Sequence, residues 1–293
     1  MKRKIYDLLA DAEQVQINDL PSVSAWPKRL LGLEEWSIGC RDSRKILAEY
    51  DEEKYGRRLA DQTFSIMMAD KIRAAQFKVS PETSFTVCVE DNIFATKYDR
   101  VEQIYKNLVQ YSLEKVEKPI GSLVELGGGW GYNFTILPEG LDFTELVLGD
   151  LSENALTIAE TLFGKTERFR SFHFDFNDPN SYTILRELPP PIVIFTSEAI
   201  EQVPDSRLFV SKLGEFKDRI SKVVHIEPLP SLYKRNFLGL MRTRYNQINS
   251  YNMDLLENIH LVDGVIIHTL DDSIFGFHPF NPLSVLVWSF SPD

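Results

Sequence analysis

The sequence predicts an α/β fold: a doubly wound, mostly parallel sheet closed by a C-terminal antiparallel hairpin, preceded by a mainly helical N-terminal lobe. Three observations carry this reading. From Ser122 onward, short apolar runs of strand type alternate with amphipathic segments of helix type, the order that builds parallel βαβ units. The run Ser122–Leu126 breaks into four glycines within five residues, Gly127, Gly128, Gly129 and Gly131. Such a turn lets backbone N–H groups, and the N-terminus of a following helix, come against a ligand without side chains in the way. Residues 1–118 have a different rhythm, with apolar positions at three- and four-residue spacing.

In chain order, Ser43–Lys54 and Leu59–Phe77 read as helices, the second ended by the proline break at Lys78–Pro81. Ser84–Glu90 alternates as a strand, half of a hairpin, and Asp99–Tyr111 is again an amphipathic helix. This N-terminal part reads as a cap or substrate-selecting lobe, with a plain structural appendage as the alternative. Lys118–Gly121 punctuates the chain, so the boundary falls between residues 118 and 119. The second unit, 119–293, begins with the glycine-rich strand and a helix-compatible segment from Tyr132 to Leu137. A second strand, Glu145–Gly149, ends at Asp150. The helix Ser152–Phe163 opens with an N-cap serine and closes at Gly164. Phe169–Phe174 is the third strand and ends at Asp175. Pro191–Thr196 is a continuous apolar run, as expected of a strand covered on both faces. A helix from Ser206 to Ile220 leads to a fifth strand, Val223–Glu227. Gly264–Leu270 and Leu283–Phe290 form a final pair around Asp271–Gly276.

Composition bounds the function. The 293 residues carry a net charge of −11, the wrong sign for a nucleic-acid surface and compatible with a cationic acceptor. Cys40 and Cys88 lack C-x-x-C spacing, and no His/Cys/carboxylate group has metal-ligand spacing. The basic start lacks a long apolar stretch, and no window reaches the length of a membrane span. The chain therefore reads as soluble and cytoplasmic, without nucleic-acid, membrane or metal partners; self-association is left open.

The segment Glu125-Leu-Gly-Gly-Gly-Trp-Gly131 resembles the E-x-G-x-G-x-G motif of class I S-adenosylmethionine (SAM) methyltransferases. The G-x-G-x-x-G of dinucleotide enzymes is not matched, because Tyr132 stands at its last glycine, and the Walker lysine is missing. The resemblance covers residues 119–290 and implies the family's seven-stranded sheet. It implies SAM as cofactor and S-adenosylhomocysteine as product. Gly127, Gly129 and Gly131 would form the cofactor turn, with Glu125 near the methionine end. Asp150 would accept from the ribose hydroxyls beside Leu151, and Asp175 from the adenine amine beside Phe176. Thr196, at the fourth strand's end, completes the implied cofactor set. Strand ends in phase, each carrying an acid or its neighbour, favour this over solvated loop carboxylates.

Ser197–Asp205 is similar to the E-V-L-E-H-V-P-D segment of many small-molecule methyltransferases, but Gln202 replaces the usual histidine and cannot serve as a general base. It also bears a partial likeness to the double-glutamate loop of arginine methyltransferases. Glu198 and Glu201, three residues apart, share a face of a helical turn. They are the candidate catalytic residues, together with Glu227 at the fifth strand's end. The expected activity is methyl transfer to a nitrogen or oxygen of a small polar acceptor: amine, guanidine, sugar or phenol. The alternatives are an arginine-type N-methyltransferase acting on a peptide or protein, and a non-catalytic SAM-binding subunit. His225 and His278 read more simply as packed side chains. Two basic-aromatic stretches, from Tyr233 and from Arg242, read as solvated helix faces.

Overall fold

The computed structural model describes residues 1–36, 41–56, 69–164 and 168–291. Most of the helix expected at Leu59–Phe77 lies outside the described residues, as does Cys40; its last part is a helix at Ala69–Gln76. Strands are numbered in chain order. Strands β4 (Ile120–Leu126), β5 (Phe143–Asp150), β6 (Phe169–His173), β7 (Ile192–Ser197), β8 (Ile220–Glu227), β9 (Val265–Phe275) and β10 (Leu283–Phe290) form one sheet in the order β6-β5-β4-β7-β8-β10-β9. The first five run parallel, and β10 lies antiparallel between β8 and β9. The chain turns outward to opposite sides on leaving β4, so β4 is the switch point, where the strands' carboxyl ends open a crevice.

Every residue of β4 is buried, the signature of a strand covered on both faces. Alternation divides its side chains between two cores. Leu123 joins Ile104, Leu108, Leu148, Phe195 and Ile226 under the helix Tyr98–Leu113. Val124 and Leu126 join Ile194, Phe209, Val223, Ile259 and Trp288 on the other side. The helix Tyr98–Leu113 buries Val101, Ile104, Tyr105, Leu108 and Val109, the three- and four-residue spacing of one helical face. Glu125 therefore shares the face of Leu123, beneath that helix, whereas Thr196, His225 and Glu227 belong to the opposite face.

Residues 1–118 carry a second, antiparallel sheet in addition to helices: β1 (Glu13–Val15), β3 (Asn92–Lys97) and β2 (Ser84–Val89), in the order β1-β3-β2. Cys88 exchanges backbone hydrogen bonds with Gly276 at 3.0 and 2.8 Å, fastening β2 to the end of β9. A Cβ at Gly276 would meet the Cys88 sulfur at 2.8 Å and Pro282 Cα at 2.9 Å, so only glycine permits this join. Core residues on both sides of residue 118, such as Val89, Val101, Leu123 and Leu148, pack in one cluster.

Two local expectations are revised. The segment after the glycines is a single 3₁₀ turn, Tyr132–Thr135, rather than a helix reaching Leu137; Pro138 disfavours helical backbone at the residue before it. β9 also runs through Asp271 to Phe275, so the reversal falls in 276–282. The polar side chains at 271–273 reflect an edge strand rather than a turn, with Ser273 in the left-handed region at φ 49°.

Candidate functional site

The glycine turn leaves β4 in the left-handed region at Gly127 (φ 71°) and Gly129 (φ 57°). A Cβ on Gly127 would meet that of Ala199 at 2.6 Å, and one on Gly129 would meet the Tyr55 hydroxyl at 2.6 Å. The turn is thus hemmed in from both sides. Gly131, at φ 78°, faces Phe163, Phe134 and Leu148 and starts the 3₁₀ turn rather than lining a cleft. Asp150, at the end of β5, accepts from Gly129 N at 2.7 Å and Ser152 N at 2.8 Å. Burial pushes its carboxyl above the usual range, while those two N–H groups pull it back. Asp175 follows β6 and accepts from Asn177 N and from the Ser43 hydroxyl, both at 2.8 Å.

Two adjoining clefts open along this edge. The first, about 650 Å³, is lined by Ile46, Tyr50, Asp150, Leu151, Phe174, Asp175, Phe176, Ala199, Gln202 and Val203. The second, about 840 Å³, is lined by Arg73, Gln76, Phe77, Tyr105, Glu125, Gly127–Trp130, Tyr132, Asn133, Ser197 and Glu201. Tyr50, Tyr55, Gly127 and Glu198 border both. The expected cofactor residues Glu125, Gly127, Gly129, Asp150, Leu151, Asp175 and Phe176 are therefore brought together along one continuous surface.

Glu125 is fully buried. Its Oε1 accepts from Asn133 Nδ2 at 2.6 Å, and its Oε2 has no partner among the described residues. Burial pushes its carboxyl up to about 8, opposed by the Asn133 hydrogen bond and raised further by Asp150. The chain continues outward: Tyr105 donates to Asn133 Oδ1 at 2.9 Å, which leaves the Ser197 hydroxyl to donate to Tyr105, 2.8 Å away.

Glu198 sits at the junction of the two clefts in a left-handed backbone conformation, φ 53°. Burial raises its carboxyl, with Arg73 and then Lys54 opposing. Glu201 is held differently. Its Oε1 accepts from Gln202 Nε2 at 2.7 Å and its Oε2 from Asn281 Nδ2 at 2.8 Å. Burial, then the charges of Glu198 and Glu227, push it up to about 8. Gln202, standing where the related segments have histidine, thus orients a carboxylate.

Glu227 and Thr196 line neither cleft. Glu227 accepts from the backbone N–H groups of Ala199, Ile200 and Glu201 at 2.9, 3.0 and 3.2 Å. It holds the turn that carries Glu198 and Glu201, which makes it a positioning residue. The Thr196 hydroxyl lies 2.7 Å from His225 Nδ1, and Trp288 Nε1 donates to His225 Nε2 at 3.0 Å. Because indole N–H only donates, His225 Nε2 is the acceptor and its proton resides on Nδ1. Burial holds this imidazole neutral, its titration down at about 3. His278 is packed against Trp26, Tyr245 and Phe280.

Sequence reasoning missed the residues that cover the clefts. Ala48–Tyr55 is wound as a π-helix, a form frequent near functional sites. Its Asp51 accepts from the Ser152 hydroxyl at 2.5 Å and from Asn154 N at 2.9 Å. Arg41, 5% exposed, bridges Glu49 of this segment to Asn249 O, both at 3.2 Å. Nothing in the spacing of Ser43, Asp51, Tyr55 or Arg73 signals these contacts, which join positions distant in sequence. Asn133, two residues beyond the last glycine, was missed as well, although it lies beside the glycine motif. Among the described residues there is no group of three or more potential metal ligands, and no helix is long and apolar enough to cross a membrane.

No family model and no curated protein matches the sequence. Solved structures do match. The SAM-dependent methyltransferase from Anabaena variabilis ATCC 29413 superposes with a TM-score of 0.51 at 13% identity, over 88% of this chain and 99% of that one. The pyocyanin biosynthetic protein PhzM matches with a TM-score of 0.46 at 13% identity, over 85% and 72%. Geranyl diphosphate C-methyltransferase from Streptomyces coelicolor A3(2) matches with a TM-score of 0.46 at 12% identity, over 66% and 81%. The Anabaena likeness shows the fold: the seven-stranded class I methyltransferase sheet with its C-terminal antiparallel pair.

Proposed function

We propose that this protein is a SAM-dependent methyltransferase that methylates a nitrogen or oxygen of a small polar acceptor. The observation that carries the reading is Glu125. Its carboxyl group is buried at the end of the central strand on the wall of the second cleft, with one oxygen held by Asn133 and the other without a partner among the described residues. An orphaned buried acceptor costs stability unless a ligand supplies the donor, and the cofactor's ammonium fits it. Asp150 suits the ribose hydroxyls, and Asp175 with Phe176 suits the adenine. The glycine turn gives the chain between them close access to the backbone.

The cofactor, when bound, supplies a methyl group already activated by its sulfonium, so the protein must chiefly align the acceptor and remove its proton. Glu198 borders both clefts and is assigned that proton. A Glu198 oxygen would take the proton that the acceptor N or O gives up on methylation. A carboxyl raised by burial is a stronger base than one in water. Glu201, held by Gln202 and Asn281 on the wall of the second cleft, and Glu227, which holds the turn, assist. Both Glu201 oxygens are engaged by neighbouring amides, which weighs against the arginine-type reading, where two free carboxylates clamp a guanidinium. The N-terminal segments, which supply Tyr50, Tyr55 and Arg73 to the cleft walls, close the site and select the acceptor.

One observation favours a second reading, a SAM-binding partner subunit: Leu31, Leu33 and Trp36 are 56%, 76% and 40% exposed within six residues of one another. Calorimetric titration with S-adenosylhomocysteine tests the proposal first. Micromolar binding is expected, weakened at least about tenfold by Asp150→Ala through lost charge-assisted hydrogen bonds. No binding to the folded protein refutes it. Glu198→Gln is expected to lower kcat by about 10² to 10⁴ while cofactor affinity stays within about twofold. Binding without turnover on amines, guanidines, sugars and phenols favours the subunit reading.

A further inference from the structure

Arg73 is a cation on the wall of the second cleft. It lies on the helix Ala69–Gln76 and is only 8% exposed. Its guanidinium carbon stands 4.2 Å from the ring centroids of both Tyr105 and Tyr132. The two rings, 6.4 Å apart and nearly parallel, both lie against the group, whose five N–H donors lie in its own plane. Its electrostatic neighbours are Tyr105, Tyr132, Glu198 and Tyr98; among the described residues it forms no ion pair. The other cation of this cleft, Lys54, is committed to Glu49 at 2.9 Å. A buried charge without a partner is costly, and cation–π contact offsets that cost only in part.

We propose that Arg73 is the anion-binding residue of this cleft and takes a carboxylate of the bound ligand, close to the site where Glu125 takes a cation. A planar guanidinium matches a carboxylate through two parallel hydrogen bonds. Glu125 and Arg73 line the same cavity, so together they read an ammonium and a carboxylate. Two molecules can present that carboxylate: the cofactor, through its amino-acid end, or an acidic acceptor. The proposal deepens the methyltransferase reading and rests on it for the identity of the ligand. The competing account is that Arg73 only packs the two tyrosines together.

The test is calorimetry on wild type, Arg73→Met and Arg73→Lys. The probes are S-adenosylhomocysteine, 5′-methylthioadenosine (which lacks the amino-acid end), and benzoate added to protein saturated with S-adenosylhomocysteine. In Arg73→Met the carboxylate-bearing ligand is expected to lose about 10- to 100-fold in affinity, with 5′-methylthioadenosine unchanged within about twofold. Loss at S-adenosylhomocysteine identifies the cofactor as the source, and loss at benzoate alone identifies the acceptor. Arg73→Lys retains the charge without the fork and is expected to fall between; it carries the test if Arg73→Met does not fold. Unchanged affinity for both acids, or an equal loss for 5′-methylthioadenosine, overturns the proposal in favour of packing. If wild type takes neither adenosyl ligand, the function proposed above fails. Benzoate binding to the free protein then decides the Arg73 proposal: loss in Arg73→Met upholds it and equal binding overturns it.

Discussion

The orphaned oxygen of Glu125 makes a quantitative prediction about protons. In the free protein its carboxyl titrates at about 8, so at pH 7 about 0.9 of the molecules carry a proton there. An ammonium seated on Oε2 favours the charged carboxylate. Once that draws the titration below about 6, binding at pH 7 releases about 0.8 to 0.9 of a proton. S-adenosylhomocysteine binding measured in buffers of different ionisation enthalpy should report this release as the slope of observed heat against buffer enthalpy. 5′-Methylthioadenosine, without the ammonium, should release none. The sign follows: raising the pH from 7 to 9 deprotonates Glu125 beforehand, so that affinity rises until the ligand amine itself titrates. Glu125→Gln removes both the proton release and a charge-assisted hydrogen bond of about 1.5 to 3 kcal/mol, a loss of about 10- to 150-fold in affinity. The refuting result is a buffer-independent heat for wild type, or a folded Glu125→Gln that binds S-adenosylhomocysteine as wild type does. Either places the ammonium elsewhere.

Two further predictions concern stability. Glu227 satisfies three backbone donors of the 199–201 turn, so Glu227→Ala should cost about 3 kcal/mol or more in urea denaturation, whereas Glu227→Gln, keeping an acceptor, should cost less; equal stability of Glu227→Ala and wild type contradicts the positioning role. The ligand-free protein should also lose stability as the pH rises. Glu125, Glu201 and Glu227 titrate at about 8, 8 and 7 in the fold, all raised by burial, so their stabilising contribution is full below the ordinary glutamate range near 4.5 and is lost as the pH climbs through 7 to 8. Each contributes a slope of up to about 1.4 kcal/mol per pH unit in that window, read as a falling Tm, and Glu125→Gln should flatten it. The depressed Asp205, at about 2, acts only in strong acid and does not oppose this trend.

The sequence by itself determined the sheet and one edge of the site. Continuous apolar runs such as Ile192–Phe195 read as strands buried on both faces, and the glycines after Leu126 as a turn against which a ligand could pack closely. Because each strand's end is marked locally, Glu125, Asp150, Asp175 and Glu198 were legible as a row. Only the tertiary structure decided which faces these ends present. A strand's alternation says that His225 and Glu227 share a side, but not that this side lies across the sheet from Glu125, because that depends on which neighbours cover each face. Glu227 was therefore read as a reacting group, whereas its oxygens are taken by three N–H groups of a turn about 27 residues earlier in the chain. The covering of the clefts was equally out of reach. Asp51 on Ser152, Ser43 on Asp175 and Arg73 against Tyr105 and Tyr132 are contacts of single side chains across long separations. Periodicity encodes which residues share a face of one element, and it carries no record of which other element that face meets.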